Sequence, residues 1–226
     1  RRQRQMCIRD RLKYFISFDD NHIDEIEFAG MIFKNRLGTA AGLDKNGDYI
    51  DALGELGFGF LEVGTVTPVP QDGNTKPRVF RNYKENSIIN RLGFNNKGVD
   101  HLLKNLKKRK YKGILGVNIG ANKDSSGDQR INDYLICLEK VNKYADYITI
   151  NISSPNTPNL RDLHSEANLA KLINEVDRVV EELKINIPIF LKISPDEKNE
   201  SIDLIIKLVE SSSIIGIIAT NTTIDK

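Results

Sequence analysis

From Leu37 onward, short continuous apolar runs alternate with longer stretches in which apolar residues recur every three or four positions. The short runs predict strands over Leu37–Ala41, Phe60–Gly64, Ile114–Ile119, Ala145–Ile150, Ile187–Ile193 and Ile214–Ala219. The longer stretches predict helices over Asp48–Leu56, Lys97–Lys107, Asp128–Asn142, Ala167–Leu183 and Ser201–Val209. The clearest is Ala167–Leu183, where Leu169, Leu172, Ile173, Val176, Val179, Val180 and Leu183 form one stripe and Ser165 stands where an N-cap belongs. Gly57 follows the first helix as a stop signal. Runs that are apolar nearly throughout fit a parallel sheet covered on both faces.

Ahead of this series, Ile26–Asn35 holds two apolar runs around Ala29–Gly30 and reads as a β-hairpin. Thr65–Asn95, rich in Pro, Gly, Asn and Arg, reads as one long irregular segment. Arg1–Arg11 is basic and aperiodic. It fits a disordered arm, a membrane-surface contact or sequence foreign to the native protein, and it is set aside from the fold.

A βα series of about six strands fits either an open doubly wound sheet or a (β/α)₈ barrel. A dinucleotide fingerprint is missing: Gly54-Glu55-Leu56-Gly57-Phe58-Gly59 has the wrong spacing and precedes a strand. The strand ends favour the barrel. Polar or glycine clusters follow one strand after another: Ala41–Lys45, Gly64–Pro68, Asn118–Gly120, Asn151–Asn156, Lys192–Pro195 and Thr220–Thr223. An open sheet gathers its ligand groups at one switch point, whereas a barrel brings every strand end to one mouth. The expectation is an α/β (β/α)₈ TIM barrel cut short after about six units at Lys226, with the hairpin closing its bottom; a smaller, complete sheet is the alternative.

The 226 residues carry a net charge of +2, which gives no electrostatic case for nucleic acid as main partner. The basic run Lys104–Lys112 reads as a solvated face. No apolar run approaches the roughly 18 residues that span a bilayer, and the start has no signal-peptide pattern. Cys7 and Cys137 match neither a metal site nor a disulfide framework, so a reducing compartment is expected and Cys137 reads as a buried thiol.

The expected mouth holds Lys45 and Lys192, several asparagines, and the hydroxyls of Thr65, Ser154 and Thr220. His22, His101 and His164 lie off the strand ends, and Asp44 and Asp196 have no pairing partner nearby in sequence. Chemistry needing a histidine base, histidine ligands or a carboxylate pair is therefore disfavoured. Lysines and amides without a strong acid or base point to a cofactor that does the difficult step. Lys192 is out of place on a surface reading, because Leu191 and Ile193 flank it. Asn151–Thr157 reads either as an ordinary turn or as a set of amides and hydroxyls suited to a flat polar heterocycle.

Taken in order, Ala40–Gly47, Gly64–Pro68, Lys76–Arg81, Asn90–Asn96, Asn118–Gly120, Asn151–Thr157, Leu191–Ile193 and Thr220–Thr223 resemble dihydroorotate dehydrogenase, class 2, the quinone-linked form. The resemblance runs from about Phe28 to the end. It implies an FMN-binding barrel over residues 26–226. Residues 1–25 would be an N-terminal segment in which Leu12–Ile23 is the remnant of a membrane-associated helical region. It implies oxidation of (S)-dihydroorotate to orotate in pyrimidine (UMP) biosynthesis, with a quinone as acceptor. The location it implies is peripheral, on the cytoplasmic side of the cell membrane, or on the inner mitochondrial membrane in a eukaryote. Carried over by position, Ala41, Gly42, Leu43, Asp44, Lys45, Thr65, Asn118, Asn151, Lys192 and Thr220 would hold FMN. Lys45, Asn90, Arg91, Leu92, Gly93, Phe94, Asn151, Asn156, Asn221 and Thr222 would hold the substrate. Ser154 would be the catalytic base, with Thr157 and Phe94 framing a water path. The other class carries cysteine at the position of Ser154, so serine points away from fumarate or NAD as acceptor. The alternatives are a class 1 type enzyme, another FMN barrel, or an inactive fragment lacking the FMN phosphate site.

Overall fold

The computed structural model describes residues 24–154 and 165–224. Its centre is a five-stranded parallel sheet built from β3 (Phe60–Val66), β6 (Ile114–Ile119), β7 (Tyr147–Asn151), β8 (Ile189–Ile193) and β9 (Gly216–Ala219), in that order. Helices α2 (Val99–Lys108), α3 (Gly127–Val141), α4 (Glu166–Leu183) and α5 (Asn199–Glu210) alternate with the strands, and the short α1 (Ile50–Gly54) precedes β3. A sheet in which each strand pairs in parallel with the next one in the series is what right-handed βα crossovers build. The fold is α/β and TIM-barrel-like.

The strands are less uniformly apolar than their sequence suggests, and the reason is the period of two. Leu61, Val63, Leu115, Val117, Ile148, Ile150, Leu191 and Ile193 face the helices and join one core with Leu102, Leu135, Leu138, Leu169, Leu172, Val176 and Ile205. The intervening residues Glu62, Asn118, Thr149, Asn151 and Lys192 are buried on the opposite face. That face is polar toward the strand carboxyl ends, while Tyr147 and Phe190 keep it aromatic toward the amino-terminal ends, so the expectation of strands apolar on both faces is corrected for its carboxyl half. Gly116 lies on the same face and must be glycine there, because a Cβ would overlap the Tyr147 ring.

Segment 37–44 follows the edge of β3 without becoming a regular strand. A bridge joins Gly38 to Phe60, and Gly42 N–H donates to Gly64 O at 2.8 Å. The hairpin is present as β1 (Ile26–Phe28) paired with β2 (Met31–Phe33). Its turn residues Ala29 and Gly30 both have positive φ, as a tight hairpin requires. Phe28 stacks on Phe190 and Phe33 packs edge-on to Phe60, so the hairpin sits against the amino-terminal ends of the sheet strands. Within the segment expected to be irregular, β4 (Val79–Asn82) and β5 (Ser87–Asn90) form a second antiparallel pair, solvent-exposed along most of its length. Leu12–Ile23, His22, His164, Cys7 and residues 155–164 lie outside the described residues. No helix among the described residues is long and apolar enough to cross a membrane.

Candidate functional site at the strand carboxyl ends

The carboxyl ends of β3, β7, β8 and β9 and three loops enclose one cavity. Ala41, Gly42, Lys45, Thr65, Asn90, Leu92, Gly93, Phe94, Asn151, Ser154, Lys192, Asn221 and Thr222 line it. Asn151, Ser154 and Lys192, far apart in sequence, thus meet at one place. Asn151 and Lys192 are brought there by their register as direct neighbours on β7 and β8.

The loop carrying Lys45 is shaped by Gly42 and Asp44. Gly42 has φ +115, a value reserved for glycine, and no atom lies within 4 Å of where its Cβ would be. The Asp44 carboxylate accepts from the Asp48 and Tyr49 N–H groups at 2.9 and 2.8 Å, which stiffens the loop. Lys45 itself is held down to about 8, first by burial and then by the nearby Arg78 guanidinium. Lys192 is 7% exposed, and neither lysine forms an ion pair among the described residues. Two sequestered cations without a carboxylate suit an anionic ligand.

On the other side, Phe94 presents its buried ring from a left-handed backbone, φ +51, which costs about 1 kcal/mol or more in a non-glycine residue. Asn96 holds it there: its amide donates to Phe94 O at 2.7 Å, while its carbonyl accepts from Gly98 N–H at 2.8 Å. Behind the wall runs a buried network. Thr65 Oγ1 donates to Asn118 Oδ1 at 2.6 Å, and Asn151 Nδ2 donates to Thr65 Oγ1 at 3.0 Å and to Asn118 Oδ1 at 3.2 Å. Asn151 Oδ1 accepts from the Ser153 N–H and hydroxyl, and Asn221 donates to Ser153 Oγ at 3.0 Å. Tyr134, from α3, donates to Asn151 O at 2.8 Å; burial keeps its hydroxyl protonated far above the ordinary range.

Some expected residues stand elsewhere. Asn118 is fully buried behind Thr65 and Asn151 and does not line the cavity. Leu43 is 66% exposed, so its side chain faces solvent. Asp44 spends its carboxylate on the loop backbone, and Thr220 is exposed and donates to Asn221 O. The Arg91 guanidinium turns away to Pro77 O at 2.9 Å and lies over the Phe80 ring. Asn156 and Thr157 lie outside the described residues. Glu62, Ser153 and Tyr134 support the site and were not singled out as site residues in the sequence. For Glu62 the signal existed: like Lys192, it is a charge between apolar neighbours within a strand.

The architecture and the cavity define an α/β, TIM-barrel-like protein with a cationic, amide-lined pocket at the strand carboxyl ends. Sequence comparison narrows this. The family model described as dihydroorotate dehydrogenase matches residues 24–226, and the chain belongs to that family. It is 51% identical over 211 residues to a protein of Pseudoalteromonas atlantica named dihydroorotate dehydrogenase (quinone), covering 91% of this chain and 63% of the relative. It is 53% identical over 205 residues to a protein of the same name from Vibrio atlanticus, covering 89% and 61%. The crystal structure of DHODH from Eimeria tenella in complex with ferulenol superposes with TM-score 0.85 at 33% identity, covering 98% of this chain and 67% of that one. The chain thus spans about three-fifths of the length of these bacterial relatives, 63% and 61%.

Proposed function

We propose that the protein oxidises dihydroorotate to orotate with FMN bound at this cavity, and that the electrons pass on to a quinone, in pyrimidine biosynthesis. The observation that carries the reading is the convergence of Lys45, Asn151, Ser154 and Lys192, with Asn90, Leu92–Phe94 and Asn221–Thr222, on one cavity. The fit to a flavin rests on the donor set. Among the described residues the half-buried Lys45 and the buried Lys192 form no ion pair, amides and hydroxyls line one wall, and Gly42 leaves its side of the pocket open. Lys45, Thr65, Asn151 and Lys192, with the backbone of 41–44 and with Asn118 and Thr220 nearby, would hold the cofactor. FMN, when bound, supplies the hydride acceptor.

The chain's own groups do the rest. Asparagine amides offer both a donor and an acceptor, which matches a ring edged with carbonyls and N–H groups. Lys45 pairs with the substrate carboxylate. Lys192 sets a positive charge at the wall, where it stabilises negative charge that develops in the reaction. Ser154 Oγ takes the proton from the substrate carbon and must pass it on, because an alcohol is a weak base by itself. We also read the sheet as part of a (β/α)₈ ring with the β1–β2 hairpin across its amino-terminal end. Peripheral membrane attachment of the full-length protein belongs to the same reading, and sedimentation with phospholipid vesicles tests it.

The full-length protein should be yellow and should reduce a quinone analogue only when dihydroorotate is present. A colourless protein, or one that uses fumarate or NAD equally well, overturns the assignment. Ser154→Ala should slow turnover by roughly 10²–10⁴-fold, the loss typical of a general base, with flavin content unchanged. A rate equal to that of the unaltered enzyme removes Ser154 from that role.

A further inference from the structure

The amide and hydroxyl wall of the cavity is built from groups that do not by themselves have a hydrogen-bonding sense. An asparagine amide is nearly the same shape when turned over, and a threonine hydroxyl donates or accepts as its neighbours demand. A carboxylate is different, since when ionised it only accepts. Among the described residues one carboxylate enters this network. Glu62, at 5% exposure on β3, accepts from Asn118 Nδ2 through Oε1 at 3.0 Å. Its other oxygen accepts from Thr149 Oγ1 at 2.9 Å and from the Tyr147 hydroxyl at 3.1 Å. Burial, together with the Glu62 charge, keeps Tyr147 protonated, so that phenol can only donate to the carboxylate. Gly116 makes room for the Tyr147 ring that lies across this end of the network.

We propose that Glu62 is a positioning residue that fixes the hydrogen-bond polarity of the cavity wall, so that Thr65 offers a ligand an acceptor and not a donor. The steps follow from the bonds present. Because Oε1 of Glu62 takes the Asn118 amide hydrogen, the Asn118 carbonyl must point the other way, toward Thr65 and Asn151. That carbonyl takes the Thr65 hydroxyl hydrogen at 2.6 Å. Asn151 Nδ2 occupies one lone pair of Thr65 Oγ1. What remains on Thr65, which lines the cavity, is a lone pair. The ligand class it selects carries an N–H at that wall, as an imide-containing ring does. At the far end the Ser153 backbone N–H, a donor only, sets Asn151 Oδ1 as acceptor, so the two ends of the network agree.

This inference rests on the flavin reading for the identity of the ligand but not for the orientation of the amides. The test uses the full-length protein with Glu62→Gln and Glu62→Met. Glutamine keeps an acceptor for Asn118 and turns its own amide hydrogens to Tyr147 and Thr149, so the polarity survives without the charge. Methionine keeps the bulk and loses the acceptor. Two quantities are read: protection of the Asn118 and Asn151 side-chain amide protons from solvent exchange, by NMR on asparagine-labelled protein, and the Kd for FMN added to the flavin-free form. Glu62→Gln should match the unaltered protein in protection and remain within about threefold in Kd. Glu62→Met should lose Asn118 protection and bind FMN about tenfold or more weakly, the size of one coupled buried hydrogen bond. Unchanged protection and Kd in Glu62→Met overturn the proposal. So does a Glu62→Gln that fails as badly as Glu62→Met, since the charge would then matter and the orientation would not. Should Glu62→Met not fold, Glu62→Gln is judged against the unaltered protein, and lost Asn118 protection or FMN binding about tenfold weaker overturns the proposal. If the unaltered protein takes up no FMN, the flavin reading fails, and amide protection, which needs no ligand, still decides the role of Glu62.

Discussion

The two faces of the parallel sheet share the same strands and differ in almost everything else. Toward the helices stand Leu61, Val117, Ile148, Ile150 and Leu191, all with no exposed surface. Away from them, one residue along in each strand, stand Glu62, Asn118, Thr149, Asn151 and Lys192, also buried. The first face gains stability by removing apolar area from water, about 25 cal/mol per Å². The second gains little, because each buried polar group must recover in hydrogen bonds what it loses in hydration. Glu62 recovers it from three donors and Asn118 from Glu62, Thr65 and Asn151. Among the described residues Lys45 and Lys192 form no ion pair. One face holds the molecule together, and the other lines the cavity proposed to take the ligand.

That division is broken or sharpened by truncating one side chain on the outer face. Ile148→Ala removes a fully buried group from the core and should cost about 2–5 kcal/mol of unfolding free energy, as buried large-to-small changes do. The Kd for orotate in the full-length protein should stay within about twofold, because no cavity-lining residue is altered. Chemical denaturation and ligand titration on the same sample measure both. A large loss of orotate binding with intact folding would show that the two faces are not separable.

A smaller effect is expected on the inner face, from Lys45. Its folded value of about 8 lies below the ordinary 10.5, chiefly through burial. The unfolded chain therefore holds one proton more than the folded one between pH about 8 and 10.5. Unfolding free energy should rise with pH across that window. Binding of a carboxylate ligand should do the opposite. Above pH about 8 the cation is lost, and orotate affinity should fall by up to about tenfold per pH unit. Lys45→Gln should flatten both curves. A fall in orotate affinity that persists unchanged in Lys45→Gln would place the titrating group elsewhere.

How much of this was legible in the sequence follows from the same contrast. The outer face was readable because apolar periodicity reports burial against a neighbour: Leu169, Leu172, Ile173, Val176 and Val179 are buried as their spacing requires. At the end of that stripe, Leu183, the last residue of α4, is half exposed. The inner face was readable only where one residue type broke the pattern. Lys192 stands out between Leu191 and Ile193, while Glu62, between Leu61 and Val63, is one charge in a run that is otherwise apolar. The β4–β5 pair was invisible for another reason. Val79, Phe80, Ile88 and Ile89 are all exposed, so no buried face imposes a period of two on their sequence. Leu37–Ala41 has the composition of a strand but makes only an irregular edge along β3, which turns at Gly42 to bring Lys45 inward.

The smallest effect concerns a clamp that belongs to neither face and holds the Lys45 loop to α2. Asp48 accepts from His101 Nε2 and Asn105 Nδ2 through Oδ1, at 2.8 and 2.9 Å, and from Lys97 Nζ through Oδ2 at 2.8 Å. Asn46 adds its carbonyl to Asn105 and its side chain to the Lys97 N–H. Burial acts to raise the Asp48 carboxyl, but the hydrogen bonds from His101, Lys97 and Asn105 outweigh it and hold the group below its ordinary 3.8. A depressed carboxylate contributes stability that is complete above the unfolded value and is lost as pH falls through the folded one. The loss therefore falls in acid, below pH about 3.8. Solvent screens so open a site, and Asp48→Asn should cost only about 0.5–1 kcal/mol at neutral pH. It should also remove part of the acid dependence of the melting temperature. If the clamp serves the inner face, orotate affinity at pH 7 should fall about two- to threefold with it, since a looser loop pays more to order Lys45. An unchanged affinity alongside the lost stability would leave Asp48 as a tie between the loop and α2 with no part in presenting Lys45.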